Sequence, residues 1–280
     1  NEYQIVIDAN GKLIIKNNTL ITTAAKDIYK PSSIQLLRNA DYPNERPTIQ
    51  AENSTFMYLG YTGFRWDGAI HLKYSSPHCW IKNCTFDKCT GSTIHVHRDD
   101  AFCDVSGCIF KNVMVDYDDA EEVSVYVNWN GYLDEKPSRV YDCTFENLWS
   151  DFQNEYRNGA ESMAYKYAFN TRFENIKTIN VTNVYGGDWV YNLNFWGGGS
   201  KGGIFRNFHI EDCRGPFLYN KEIYDSIAEE INVINSGGGC VKLGYECDKG
   251  IIKHVNTNLT HGGLGCPSAG EPYFVFTKNM

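Results

Sequence analysis

Short runs in which apolar and polar residues alternate recur along the chain. The clearest are Ala69-Ile-His-Leu-Lys73, Thr93-Ile-His-Val-His97, Val123-Ser-Val-Tyr-Val127, Val190-Tyr-Asn-Leu-Asn194 and Cys240-Val-Lys-Leu243. A period of two predicts a short strand with one apolar face. A second pattern follows most of them. In 80–89, 104–113 and 139–148 the frame is apolar, two residues, Cys, one residue, Phe, two residues, apolar. The step from Cys84 to Phe86 keeps both side chains on one face, and the step of three to Cys89 requires a turn between them.

Looser copies extend the frame to both ends: Ile15, Asn18 and Leu20; Ala51, Ser54, Phe56 and Leu59; Ala168, Thr171, Phe173 and Ile176. Phe205, Phe208, Ile210 and Cys213, then Ala228, Ile231, Val233 and Ser236, and finally Ile252, Val255 and Thr257 continue it. Internal repetition at this period is the mark of a stacked architecture. Three short strands per repeat predict an all-β chain, a right-handed parallel β-helix of about nine coils. At the usual strand spacing of about 4.8 Å it would be a rod of roughly 43 Å. The turn after each Phe carries Lys88, Asn112, Asn147, Asn175, Asp212 or Asn235. Asn there suits a left-handed backbone and a side-chain bond to the next rung.

An antiparallel sandwich or propeller would need hairpin turns between equal partners. Asn-Gly occurs only at Asn10, Asn130 and Asn158. Helices are expected only as short pieces within 150–167 and 31–38. The whole of 1–280 reads as one β-helix domain with insertions at 114–137, 149–167 and 178–201. The strand-like Tyr3–Asp8 reads as part of a rung, so neighbouring domains of the same polypeptide are expected.

Composition sharpens this picture. The 25 Gly and 27 Asn supply turns, and 14% aromatic residues supply strands. No apolar run reaches the roughly 18 residues of a membrane span. The net charge of -8, with no cluster of Lys and Arg, argues against nucleic acid as a partner. Of ten Cys, Cys79, Cys84, Cys89, Cys103, Cys108, Cys143 and Cys213 fall in the repeats without a CxxC. They read as buried reduced thiols acting as small hydrophobes. Cys240, Cys247 and Cys266 lie outside the clearest copies, with room for one disulfide.

The segment Ala69–Phe86, AIHLKYSSPHCWIKNCTF, resembles the pectate lyase group of β-helical proteins, where a strand, a Ser-Pro turn and a Trp-Ile-Asp-His-Cys-like strand follow one another. The likeness runs over 68–110. It implies the β-helical fold and a preference for polysaccharides. The acidic calcium ligands of that group fall near Lys73, Tyr74 and His95, and its Trp-Ile-Asp signature reads Trp80-Ile81-Lys82. Its Arg-x-Pro-x-x-Arg segment has no counterpart, so the resemblance implies a relative by fold and substrate class rather than a standard calcium enzyme.

If Ile70, Leu72, Ile94 and Val96 point inward, then His71, Lys73, His95 and His97 point outward from adjacent rungs. Tyr126 and Asn128 continue that face, followed by Asn192 and Asn194. The catalytic reading takes His95 or His97 as base, with His71 beside them. Lys73 or Arg98 would stabilise a sugar carboxylate, and Tyr126 would act as acid. His-x-His on a strand, joined by His71, is also a metal-binding geometry. No cofactor is expected; were calcium to bind, Asp99, Asp100, Asp116 and Asp118 are the candidate ligands, and the same acids could instead supply a glycosidase-like carboxylate pair. Trp129, Tyr132, Trp189, Tyr191 and Trp196 are candidates for a sugar-binding wall.

Two readings follow from these residues. One is a lyase-like enzyme on an acidic polysaccharide, extracellular or at the cell surface. The other is a non-catalytic binding or adhesive module, or a structural segment of a surface or tail-fibre protein.

Overall fold

A computed structural model of the chain describes residues 3–22, 32–42, 44–60, 68–97, 101–114, 125–128, 137–150, 163–166, 172–183, 193–195, 200–213, 218–220, 223–224, 227–235, 242–243, 251–258 and 273–274. Among these the regular structure is entirely strand. Apart from Ile251–Asn258 with Tyr273–Phe274, the described strands do not pair with the next strand in sequence. Ile94–His97 lies parallel to Ile70–Leu72 on one side and to Val125–Asn128 on the other, and Asp104–Ser106 likewise lies between Trp80–Lys82 and Arg139–Ser150. Each coil therefore hydrogen-bonds to the coils before and after it, which makes the chain a parallel β-solenoid.

Two walls result. The first is a nine-stranded sheet running from Tyr3–Ile7 through Ser32–Leu36, Ile70–Leu72, Ile94–His97 and Val125–Asn128 to Lys242–Leu243. The second begins at Lys12–Ile15 and continues through Thr48–Glu52, Trp80–Lys82 and Asp104–Ser106 to Arg139–Ser150 and Arg172–Asn183. Thr85–Asp87 and Ile109–Lys111 form the third strand of their coils. From Arg139 onward the second and third strands run together as one long strand.

Stacked left-handed residues build the corners. One column holds Asn53, Asn83, Gly107, Asp142, Asn175 and Asn207, all with φ between 48° and 60°. Another holds Lys88, Asn112, Asn147, Asn180, Asp212 and Asn235, with φ between 47° and 54°. Asn tolerates this region better than most residues. Its amide also bonds along the column: Asn175 Nδ2 donates to Asp142 Oδ1 at 2.7 Å, and Asn180 Nδ2 to Asn147 Oδ1 at 2.8 Å. Gly107 has a second reason for its place, since a Cβ there would come within 2.3 Å of Asn83 Oδ1.

The interior is made of like residues stacked rung on rung. Phe56, Phe86, Phe110 and Phe145 are fully buried, with successive ring centroids 4.8, 4.9 and 4.7 Å apart and ring planes nearly parallel. Such contacts add about 0.5–1.5 kcal/mol each beyond area burial. Beside them runs Cys84, Cys108, Cys143, Ile176, Phe208 and Ile231, all buried. The seven Cys of the repeats are free and buried. Burial pushes the Cys79 thiol up to about 11 and that of Cys89 up to about 12, so these sulfurs stay protonated as apolar fillers. Cys240, Cys247 and Cys266 lie outside the described residues.

The structure corrects the expected register in two coils. Phe145 is paired with Thr178, not Phe173, and Cys143 with Ile176. Phe173 instead stands beside Val140 at the start of the frame, so the copy assigned to Thr171 and Phe173 begins five residues too early. Asn175 consequently sits in the first corner column, and Asn180 takes the place predicted for it. Near the start, Ile21 pairs with Phe56 and Asn18 N donates to Asn53 O, which moves that copy by one residue.

Two further expectations change. The stretch 31–38, read as a helix candidate, contains the buried strand Ser32–Leu36, and within 150–167 Met163–Lys166 is a strand. Trp149 and Ser150 complete the strand Arg139–Ser150, and 178–183 belong to Arg172–Asn183.

Candidate functional site

Alternation places the predicted His residues away from the interior. Ile70, Leu72, Ile94 and Val96 join the apolar core, and His71 and His95 stand between them on the opposite face. Strand register then sets His95 beside His71 on one side and Tyr126 on the other, while His97 is beside Asn128. The His71 and His95 rings stack with centroids 4.5 Å apart and an interplanar angle of 4°. The His97 ring lies 5.1 Å from that of His95 and 5.9 Å from that of His71.

Facing away from the interior does not leave these rings open to solvent. His71 and His95 are 0% exposed and His97 is half-buried. Ser33 and Gln35, on the same outward side of the preceding rung, are buried as well. Among the described residues neither ring nitrogen of His71 has a hydrogen-bond partner. Burial, the nearby Lys73 charge and His97 hold the His71 imidazole well below its ordinary 6.5, hence neutral. Lys73 is half-buried just past the strand.

The other residues singled out are less defined. Tyr126, Asn128 and Asn194 have backbone positions in the first wall, Asn194 two rungs beyond Tyr126 in the same column. Arg98, Asp99, Asp100, Asp116, Asp118, Trp129, Tyr132, Trp189, Tyr191, Asn192 and Trp196 lie outside the described residues.

A second candidate site lies on the outer face of the second wall. Ile49, Ala51, Ile81 and Val105 point inward and are buried. Gln50, Trp80 and Asp104 therefore face outward, paired in register, with Arg139 next in the column. Together with Lys12, His78 and Lys82 they line an open groove of about 410 Å³. Lys82 Nζ sits 5.0 Å from the centre of the half-buried Trp80 ring. Gln50 Nε2 donates to the His78 carbonyl at 3.3 Å, which ties the rim to the floor.

At the far end the Arg139 guanidinium grips Asp104 through two bonds of 3.1 and 2.6 Å. That fork neutralises the one carboxylate of the group, leaving Lys12 and Lys82 to set the sign of the groove. Sequence reasoning used Trp80 only for its family likeness. The signal was present in Ile81, whose inward direction turns Trp80 and Lys82 outward.

No family model matches the chain. No curated protein matches it either. Among solved structures it is similar to a Streptococcus pneumoniae surface protein and adhesin, PfbA, at 11% identity and a TM-score of 0.30, over 98% of this chain and 91% of that one. It is also similar to QnrB1, a plasmid-mediated fluoroquinolone resistance protein, at 8% identity and a TM-score of 0.21, over 95% of this chain and 92% of the other. Neither likeness is close enough to transfer a role. No helix among the described residues is long and apolar enough to cross a membrane.

Proposed function

We propose that this chain is a non-catalytic glycan-binding module of an extracellular or surface protein, holding an acidic polysaccharide on its second wall. The groove around Trp80 carries this reading. An indole ring in an open polar groove offers a flat apolar surface to a pyranose ring. Gln50 supplies both a donor and an acceptor for hydroxyls. Lys12 and Lys82 supply positive charge for a uronate carboxylate, while Asp104 is already occupied by Arg139.

The resemblance of 68–110 to the pectate lyase group supports a polysaccharide as the ligand, since the same segment builds much of the groove. The burial of His71 and His95 favours binding over lyase chemistry, because a general base must reach the proton it removes.

Affinity electrophoresis against a panel of uronic acid polymers tests the proposal. The ultraviolet absorbance of unsaturated product is followed in the same mixtures. The expected result is retardation by at least one acidic polymer, weakened about tenfold or more by Trp80→Ala, with no absorbance growth. Growth of the unsaturated product would return the lyase reading. Migration unaffected by every polymer would leave a structural segment as the role.

A further inference from the structure

The three imidazoles of the first wall have a consequence separate from glycan binding. His71, His95 and His97 each offer one ring nitrogen, and these atoms all lie within 4.8 Å of one another. Two come from one strand at a spacing of two, so they share a face, and the third comes from the rung below in direct register. A tetrahedral zinc with nitrogens at 2.0–2.1 Å separates its ligand atoms by about 3.3 Å. Closing the triad onto an ion then requires each nitrogen to move roughly 1 Å and the parallel His71 and His95 rings to tilt about their side-chain torsions until their lone pairs converge.

We propose that His71, His95 and His97 form a binding site for a borderline divalent transition metal, zinc above all, that clamps two consecutive coils of the solenoid. The chemistry selects the class of ion. Imidazole suits zinc, cobalt, nickel and copper, whereas calcium takes oxygen ligands, and the triad offers none. Burial suits the site too. His71 is fully enclosed with both ring nitrogens lacking a hydrogen-bond partner among the described residues, a costly arrangement for a polar group that a coordinated ion relieves at one of the two nitrogens. Since ligands from two rungs converge only in the folded chain, an ion held there stabilises the fold by mass action.

The test uses the whole chain, freed of metal by chelation and exchanged into chelator-free buffer. Cobalt(II) alone is added first and followed by its visible bands after long equilibration, then displaced with zinc(II). The proposal expects tetrahedral-type cobalt bands saturating at one equivalent, their loss on adding zinc, and a rise in Tm of roughly 5 °C with zinc in hundredfold excess over Kd. His97→Ala, at the half-buried member, should weaken zinc binding about 100-fold, while His78→Ala, an exposed His elsewhere, should not change it.

X-ray absorption at the zinc edge of the loaded wild-type protein reads the ligands without any variant. Three imidazole shells support the site, and two or fewer overturn it. Absence of cobalt bands together with absence of stoichiometric zinc uptake also overturns it, as does undiminished uptake by His97→Ala. None of these outcomes bears on whether the Trp80 groove binds glycans.

Discussion

The two walls of this solenoid obey the same rule and end in opposite surroundings. In both, alternate residues enter the interior and the rest face away from it. On the first wall the outward column Gln35, His71 and His95 is closed from solvent. On the second, half-buried Gln50 and Trp80 open onto a groove, with the buried Asp104 at its end. Strand periodicity assigns a side chain to a face, but whether that face meets water depends on what the rest of the chain lays over it. The two kinds of chemistry divide accordingly. Enclosed imidazoles suit an ion that must be held dry, and an accessible indole flanked by cations suits a large polar ligand that must come and go.

The largest effect expected from this difference is a matched pair of substitutions. His95→Lys places an unpaired ammonium against the His71 ring in an enclosed site, and should cost about 3–5 kcal/mol. Gln50→Lys makes the same charge change on the open wall and should stay within about 0.5 kcal/mol. Urea unfolding midpoints of the two variants measure the contrast, and equal losses would erase the distinction between the walls. Phe110→Ala attacks the interior shared by both. Removal of one ring from the stack Phe56, Phe86, Phe110 and Phe145 should cost about 3–5 kcal/mol by the same assay.

A proton can replace the substitution. Because the folded pKa of His71 lies well below 6.5, the unfolded chain binds the proton that the folded chain refuses. Its contribution to stability is therefore whole above about pH 6.5 and is lost as pH falls below that value. Urea midpoints should drop on acidification, and His71→Gln should flatten the dependence. A variant with the same slope as the parent would mean that His71 is not the titrating group. The smallest effect is chemical silence. Cys79 and Cys89, with thiols held up to about 11 and about 12, should resist iodoacetamide at pH 8 in the native protein and react after denaturation, as read by mass spectrometry.

Much of the architecture was legible because its signals are local. The Cys84-x-Phe86 frame and the paired runs Ile70-His-Leu72 and Ile94-His-Val96 specify faces residue by residue, and the predicted stacking of His71 on His95 follows from them. The frame slipped at Phe173 for a physical reason. Phe suits either of two apolar slots in a coil, and Thr178, polar yet 1% exposed, occupies the slot where an aromatic was expected. Pairing with the neighbouring coil decides between such slots, and a single sequence does not contain that pairing. The enclosure of the His column was not readable either, since alternation assigns a side chain to a face and not its burial. The Trp80 groove was the reverse case. Its outward direction was readable from Ile81, but its meaning required Lys12 and Gln50 from earlier coils to be brought beside it.

The contrast between walls is tested most directly by acylating the native protein with diethyl pyrocarbonate, with and without a saturating acidic oligosaccharide, and reading each His by mass spectrometry. The account predicts rapid modification of exposed His78, its protection by the oligosaccharide, and little reaction at His71 and His95 in either condition. Modification of His71 and His95 as fast as His78, or their protection by the sugar while His78 stays reactive, would contradict it.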